Sequence, residues 1–78
     1  MLVYGSILEQ HQAREIAEEM QMSEEQAAAM WFIQTFDLDL GFNEENIAYK
    51  RYIYDIEEIG CSLYLDWYAG YYFLVKKQ

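Results

Sequence analysis

Seventy-eight residues carrying a net charge of -9 bound what this chain can be: a single domain, burying roughly 60% of its unfolded surface and resting on one core. Hydrophobic residues at 54% and aromatics at 18% exclude a disordered chain despite the charge, and five Lys and Arg against fourteen Asp and Glu exclude a direct binder of nucleic acid or of anionic membrane. A lone cysteine, Cys61, forbids an internal disulfide, no apolar run approaches a membrane span and no signal-peptide pattern opens the chain, so one cytoplasmic domain over residues 1–78 is expected.

Leu2-Val3-Tyr4-Gly5 is short and apolar and reads as an edge strand ended by glycine. Ser6 with Glu9 three residues on matches a capping box. Ala13, Ile16, Ala17 and Met20 then recur at i, i+3, i+4 and i+7, which predicts an amphipathic helix over residues 7–21. Ser23-Glu24-Glu25-Gln26 is a second capping box, with Met22 placed as its staple residue, and predicts a second helix over residues 26–36 after a tight break. On that helix Ala29, Phe32, Ile33 and Phe36 form one stripe while Ala27, Met30 and Trp31 lie opposite. Such a helix must be covered on two sides.

Asp37-Leu-Asp-Leu-Gly41-Phe42 breaks the pattern, and Asn43 followed by Glu44 and Glu45 reads as an N-cap with acids matched to the helix dipole. Ala48, Tyr49, Tyr52, Ile53, Ile56 and Ile59 share one face at a 3.6-residue period, with Gly60 placed as the residue after the end, so a third helix is predicted. A strand is the open alternative, because Tyr52, Tyr54 and Ile56 also alternate in a segment rich in β-formers. Beyond Gly60, Cys61, Leu63, Leu65 and Trp67 alternate with Ser62, Tyr64, Asp66 and Tyr68. Ala69-Gly70 then turns the chain into a returning strand over residues 71–75. A hairpin alone is barely stable and needs the helices against one face. The class expected is therefore α+β, with an N-terminal helical pair, a third helix or strand, a C-terminal antiparallel β-hairpin, and residues 2–4 available as an extra strand.

The charge is localised. Glu15, Glu18, Glu19, Glu24, Glu25, Asp37, Asp39, Glu44 and Glu45 fall in a stretch without Lys or Arg from Glu15 to Tyr49; elsewhere five acids offset five bases. Like-charged neighbours one helical turn apart cost a few tenths of a kcal/mol each, so stability is no reason for the pattern. Carboxylates about 5 to 6 Å apart at Cβ approach the spacing of backbone phosphates and suit the Lys and Arg of a nucleic-acid cleft. Two other readings stand beside that one: a solubilising face, and complementarity to a basic partner that never touches nucleic acid.

His11, the single histidine, has no sequence-local partner and reads as a surface residue; Cys61, on an apolar alternation, reads as an inert buried thiol. Asp37-x-Asp39 lacks the glycine and the bidentate glutamate of a calcium loop, since the sixth and twelfth positions hold Phe42 and Ala48. No pair of acids is singled out for catalysis, and no catalytic residue, metal or cofactor is expected. Fourteen aromatics exceed what so small a core requires, which makes Met30, Trp31, Tyr64, Tyr68 and Tyr72 candidates for a partner or homodimer surface.

The stretch from Ile47 to Gly60, followed by Ser62-Leu-Tyr-Leu-Asp66 and Gly70-Tyr-Tyr-Phe-Leu-Val75, resembles the C-terminal part of ArdA-type antirestriction proteins. The similarity covers under half of the chain. In size and acidity the whole chain is also similar in type to small phage-encoded anti-CRISPR inhibitors. Both resemblances imply a DNA-mimicking inhibitor that occludes a nucleic-acid-binding surface, and agree with a basic protein as the partner. The alternative function is a dimeric interaction module, an adaptor or antitoxin, working through its aromatic surface.

Overall fold

Val3, Tyr4 and Leu8 are the buried residues of the chain's first strand. In the computed structural model, which describes residues 1–77, Leu2–Glu9 form strand β1, with Tyr4 and Leu8 in the core and Ile7 on the opposite side, half exposed. Helices α1 (Gln10–Met20) and α2 (Glu24–Thr35) follow, then strands β2 (Phe42–Glu44), β3 (Lys50–Ile56), β4 (Cys61–Asp66) and β5 (Tyr71–Lys76). The five strands make one antiparallel sheet in the order β2-β1-β5-β4-β3. The core lies between one sheet face, supplied by Tyr4, Leu8, Leu63, Leu65, Tyr72 and Leu74, and the helices, supplied by Ala13, Ala28, Ala29 and Phe32.

The second helix starts where its capping box places it. Ser23 Oγ accepts from the Gln26 amide at 3.1 Å, and Gln26 Oε1 accepts from the Ser23 amide at 3.2 Å. Consecutive Ala27, Ala28 and Ala29 are all buried, which a helix permits only when it is covered on more than one side. The sheet core and α1 cover Ala27, Ala28, Ala29 and Phe32, so the two-sided covering read from the sequence holds for these residues, whereas Ile33 of the expected stripe is exposed. Small residues let both layers approach. α2 is pinned at its start by Tyr54 of β3, whose hydroxyl donates to the Glu25 carbonyl at 3.2 Å, and just past its end by Tyr4 of β1. The Tyr4 hydroxyl donates to the Asp37 carbonyl at 2.9 Å and accepts from the Asp37 amide at 2.7 Å, with its ring stacked on Phe36.

Three features differ from the sequence reading. The first helix begins at Gln10, because Ile7, Leu8 and Glu9 extend β1 by pairing with Phe73, Tyr72 and Tyr71. The box that closes this helix end has Gln12 accepting from the Glu9 amide at 3.3 Å, and does not involve Ser6. The third helix is absent among the described residues: Asn43 pairs with Val3 inside β2, and residues 50–56 are a strand followed by a 3-10 turn at Glu57–Ile59. Cross-strand pairing outweighs local periodicity there, since Tyr52, Tyr54 and Ile56 gain Tyr64, Leu63 and Cys61 as neighbours. The expected hairpin is present as β4 and β5, yet it forms the middle of the sheet, with β1 and β3 on its two sides. Among the described residues no helix is long and apolar enough to cross a membrane.

Candidate functional site

α1 buries Ala13 and half-buries Ile16 and Ala17, so geometry turns Glu15, Glu18 and Glu19 to the outside, where all three are exposed. Glu15 stands one turn from each of the other two. None of the three makes an ion pair among the described residues, and Arg14, the one arginine on this helix, is directed to Glu24 with Nε 2.9 Å from Oε1.

Glu24 has a different role. Its carboxylate accepts from the Tyr72 hydroxyl in a short hydrogen bond, from Gln10 Nε2 at 2.9 Å and from Arg14, and so joins both helices to the centre of the sheet. Burial pushes the carboxyl up, but the three hydrogen bonds and the Arg14 charge outweigh it and hold the group below its ordinary range. Tyr72 responds in the opposite sense: burial first, and the Glu24 carboxylate second, push its phenol far upward. This acid is structural glue, and its charge is already answered within the chain.

The remaining acids divide between two places. Glu25 is half-buried, with its carbonyl held by Tyr54. Asp37 Oδ1 accepts from the Asp39 amide at 2.9 Å and shapes the 3-10 turn Leu38–Leu40; both side chains are exposed. Glu44 pairs with the Met1 α-amino group at 2.6 Å, and Glu45 is exposed beside it. Asp37 and Asp39 therefore lie before the start of β2, beside Tyr4, and Glu44 and Glu45 at its other end, beside Met1.

The aromatic candidates separate further. Tyr72 is fully buried, which removes it from any partner surface: as the cross-strand partner of Leu65 and Leu8, it faces the helices. Met30 and Trp31 are half-buried, with Trp31 packed on the core edge-on to Phe32 at 5.0 Å. Tyr64 lies on the sheet face away from the helices, stacked on Phe73 at 5.6 Å and touched by Tyr52. Phe73 is fully buried there, sheltered by these tyrosines and Tyr71 in place of a helix. On the same face Asp55 accepts from Ser62 at 2.7 Å and Tyr52 at 3.0 Å, bonds that hold its carboxyl below the ordinary range and raise the Tyr52 phenol.

Tyr68 is 77% exposed in the β4–β5 turn, and it brings two residues that sequence reasoning missed. Tyr49 lies 5.0 Å from Trp67 and 5.1 Å from Tyr68 between ring centres, and the Trp67 amide donates to the Tyr49 carbonyl at 3.1 Å. Trp67 was counted with the core alternation of β4, but it sits one residue past the strand, where no layer covers it. That position, two residues before Ala69-Gly70, was the available signal. Asp66 fixes this aromatic tip by accepting from the Tyr68 and Ala69 amides at 3.1 and 2.9 Å.

His11 is exposed, with Nδ1 3.5 Å from Glu9, and Cys61 is a free, buried thiol that burial pushes up. Among the described residues no three His, Cys, Asp or Glu side chains are grouped to hold a metal. No family model, no curated protein and no solved structure matches the chain.

Proposed function

We propose that this chain is a cytoplasmic, non-enzymatic inhibitor that binds a basic, nucleic-acid-handling protein, with Glu15, Glu18 and Glu19 of α1 at the centre of the contact. The observation that carries this reading is that these three carboxylates are exposed, adjacent and without ion pairs among the described residues, on one helix of a chain whose other acids include several bound internally. Such a row costs helix stability and keeps its full charge for a partner. Asp37, Asp39, Glu44 and Glu45 flank the two ends of the edge strand β2 and would extend the contact, whereas Glu24 belongs to the fold. The direct test is a pull-down of host proteins with the tagged chain, washed at rising salt, beside the variant carrying E15K, E18K and E19K. A nucleic-acid-binding protein retained by the native chain, released as screening sets in and absent with the variant is expected; equal retention by the variant refutes the reading.

A second reading is supported by the aromatic tip. Tyr49, Trp67 and Tyr68 expose three large rings in mutual contact, the residue types favoured at interface centres. An interaction module working through this tip would bind with little dependence on salt and lose its partner on Trp67→Ala.

A further inference from the structure

The face of the sheet away from the helices carries a recess. It has a volume of about 210 Å³ and is lined by Val3, Ile7, Ile47 and Tyr71, with Asn43 and Glu45 contributing polar groups. β1 creates it by slipping register against β5: Val3 opposes Val75, yet Ile7 opposes Phe73, so the strand bows outward over residues 4–6. Gly5 makes the bow possible. Its amide donates to the Gly41 carbonyl at 3.1 Å, and a Cβ there would stand 3.2 Å from the Leu40 carbonyl oxygen.

Sites for drug-sized ligands and cofactors run from about 300 Å³ upward, so this recess fits a single side chain. Its chemistry selects which one. The walls supplied by Val3, Ile7 and Ile47 are aliphatic, Tyr71 offers a half-buried aromatic ring, and the Glu45 carboxylate makes no ion pair among the described residues. Burial, then the neighbouring Asp66 and Glu45 carboxylates, push the Tyr71 phenol upward. An acidic or purely apolar group would leave Glu45 unanswered or repelled. A guanidinium on an aliphatic stem answers every part: the stem lies on the valine and isoleucines, the planar cation lies against Tyr71, and two N–H groups face the carboxylate.

We propose that the recess between β1 and residues 45–47 receives one arginine side chain of the basic partner. This rests on the reading of the partner as basic, and adds to the helical acids a second, shaped point of contact on the other side of the sheet. Arginine is preferred over lysine because the ring and the carboxylate together suit a flat, weakly hydrated cation.

The test uses the full chain, labelled with ¹⁵N, titrated with N-acetyl-arginine amide and with N-acetyl-citrulline amide, which has the same shape without the charge. Amide shifts confined to Val3, Gly5, Ile7, residues 43–47 and Tyr71 are expected. Citrulline amide should bind about fivefold more weakly, the share of one cation–π contact with one exposed charge pair, and arginine amide should bind Glu45→Gln about twofold more weakly, the share of the charge pair alone. The variant carrying E15K, E18K and E19K should give the same recess shifts as the native chain. Shifts on α1 alone, no shifts at all, or equal binding of citrulline amide would overturn the assignment. In those cases salt-sensitive capture of a partner through α1 could still hold. Arginine filling the recess while α1 reversal leaves capture unchanged would instead sustain the recess and refute the helical contact.

Discussion

Replacing Tyr72 by Phe removes one hydroxyl from the junction of both helices with the sheet. The ring stays, so no cavity opens; what is lost is a hydrogen bond to a charged acceptor. Such bonds contribute about 1.5–3 kcal/mol. Glu24 keeps Gln10 and Arg14 as donors, and its side chain is 21% exposed, so water can take the vacated position. The lower part of the range is therefore expected, about 1.5–2 kcal/mol, or a fall in Tm of roughly 6–16 °C for a domain of this size. A second signature follows from protonation. The folded-state carboxyl of Glu24 lies below its ordinary value of 4.5, so its stabilising effect is complete above that pH and is lost as pH falls through the folded value. Without the phenol that depression is smaller, and the gap between native chain and variant should narrow in acid. Urea unfolding followed by far-UV circular dichroism at neutral pH and in acid measures both. A difference below about 0.5 kcal/mol at neutral pH, the level of an ordinary surface substitution, or a gap that does not narrow in acid, would refute the role given to this bond.

Ser23→Ala removes the acceptor that caps α2 and should cost about 1 kcal/mol, read by the same unfolding assay. Asp66→Ala takes the shared acceptor from the Tyr68 and Ala69 amides; destabilisation of about 1–2 kcal/mol is expected, with faster hydrogen exchange at those two amides and not at Phe73. Gly60, at φ 63° after the 3-10 turn, should tolerate Ala only at about 1–2 kcal/mol, although open space surrounds its Cβ position. A neutral result there would mean that the turn relaxes out of the left-handed region.

Local chemistry was legible wherever it acts locally. The Ser23–Gln26 box, the two-sided α2, the alternation of Cys61, Leu63 and Leu65, and the turn before Tyr71 are all read from neighbours along the chain. Residues 47–59 were legible only as an open choice between helix and strand, because a bulge blurs their alternation. Tyr52 opposes Tyr64 on the open face, while Tyr54 opposes Leu63 on the helical face, so Ile53 absorbs one step and strict alternation fails. What remained was an apolar spacing that also fits a helix. The extension of β1 through Glu9 was hidden for a related reason, since its partner β5 lies more than sixty residues away and a capping pattern at Ser6 competed locally. For the surface, the exposure of Glu15, Glu18 and Glu19 followed from the burial of Ala13 on the same helix. The internal use of Glu24 did not, because Tyr72 and Glu24 meet only in the folded chain.

The acidic face is proposed to occupy the site where the partner holds nucleic acid. The most direct test is to add the chain to the captured partner bound to fluorescently labelled DNA or RNA and follow the anisotropy. Stoichiometric release of the nucleic acid, abolished by E15K, E18K and E19K in a variant of unchanged circular dichroism, is the predicted result. A stable ternary complex with the nucleic acid still bound would contradict it and place the contact elsewhere on the partner.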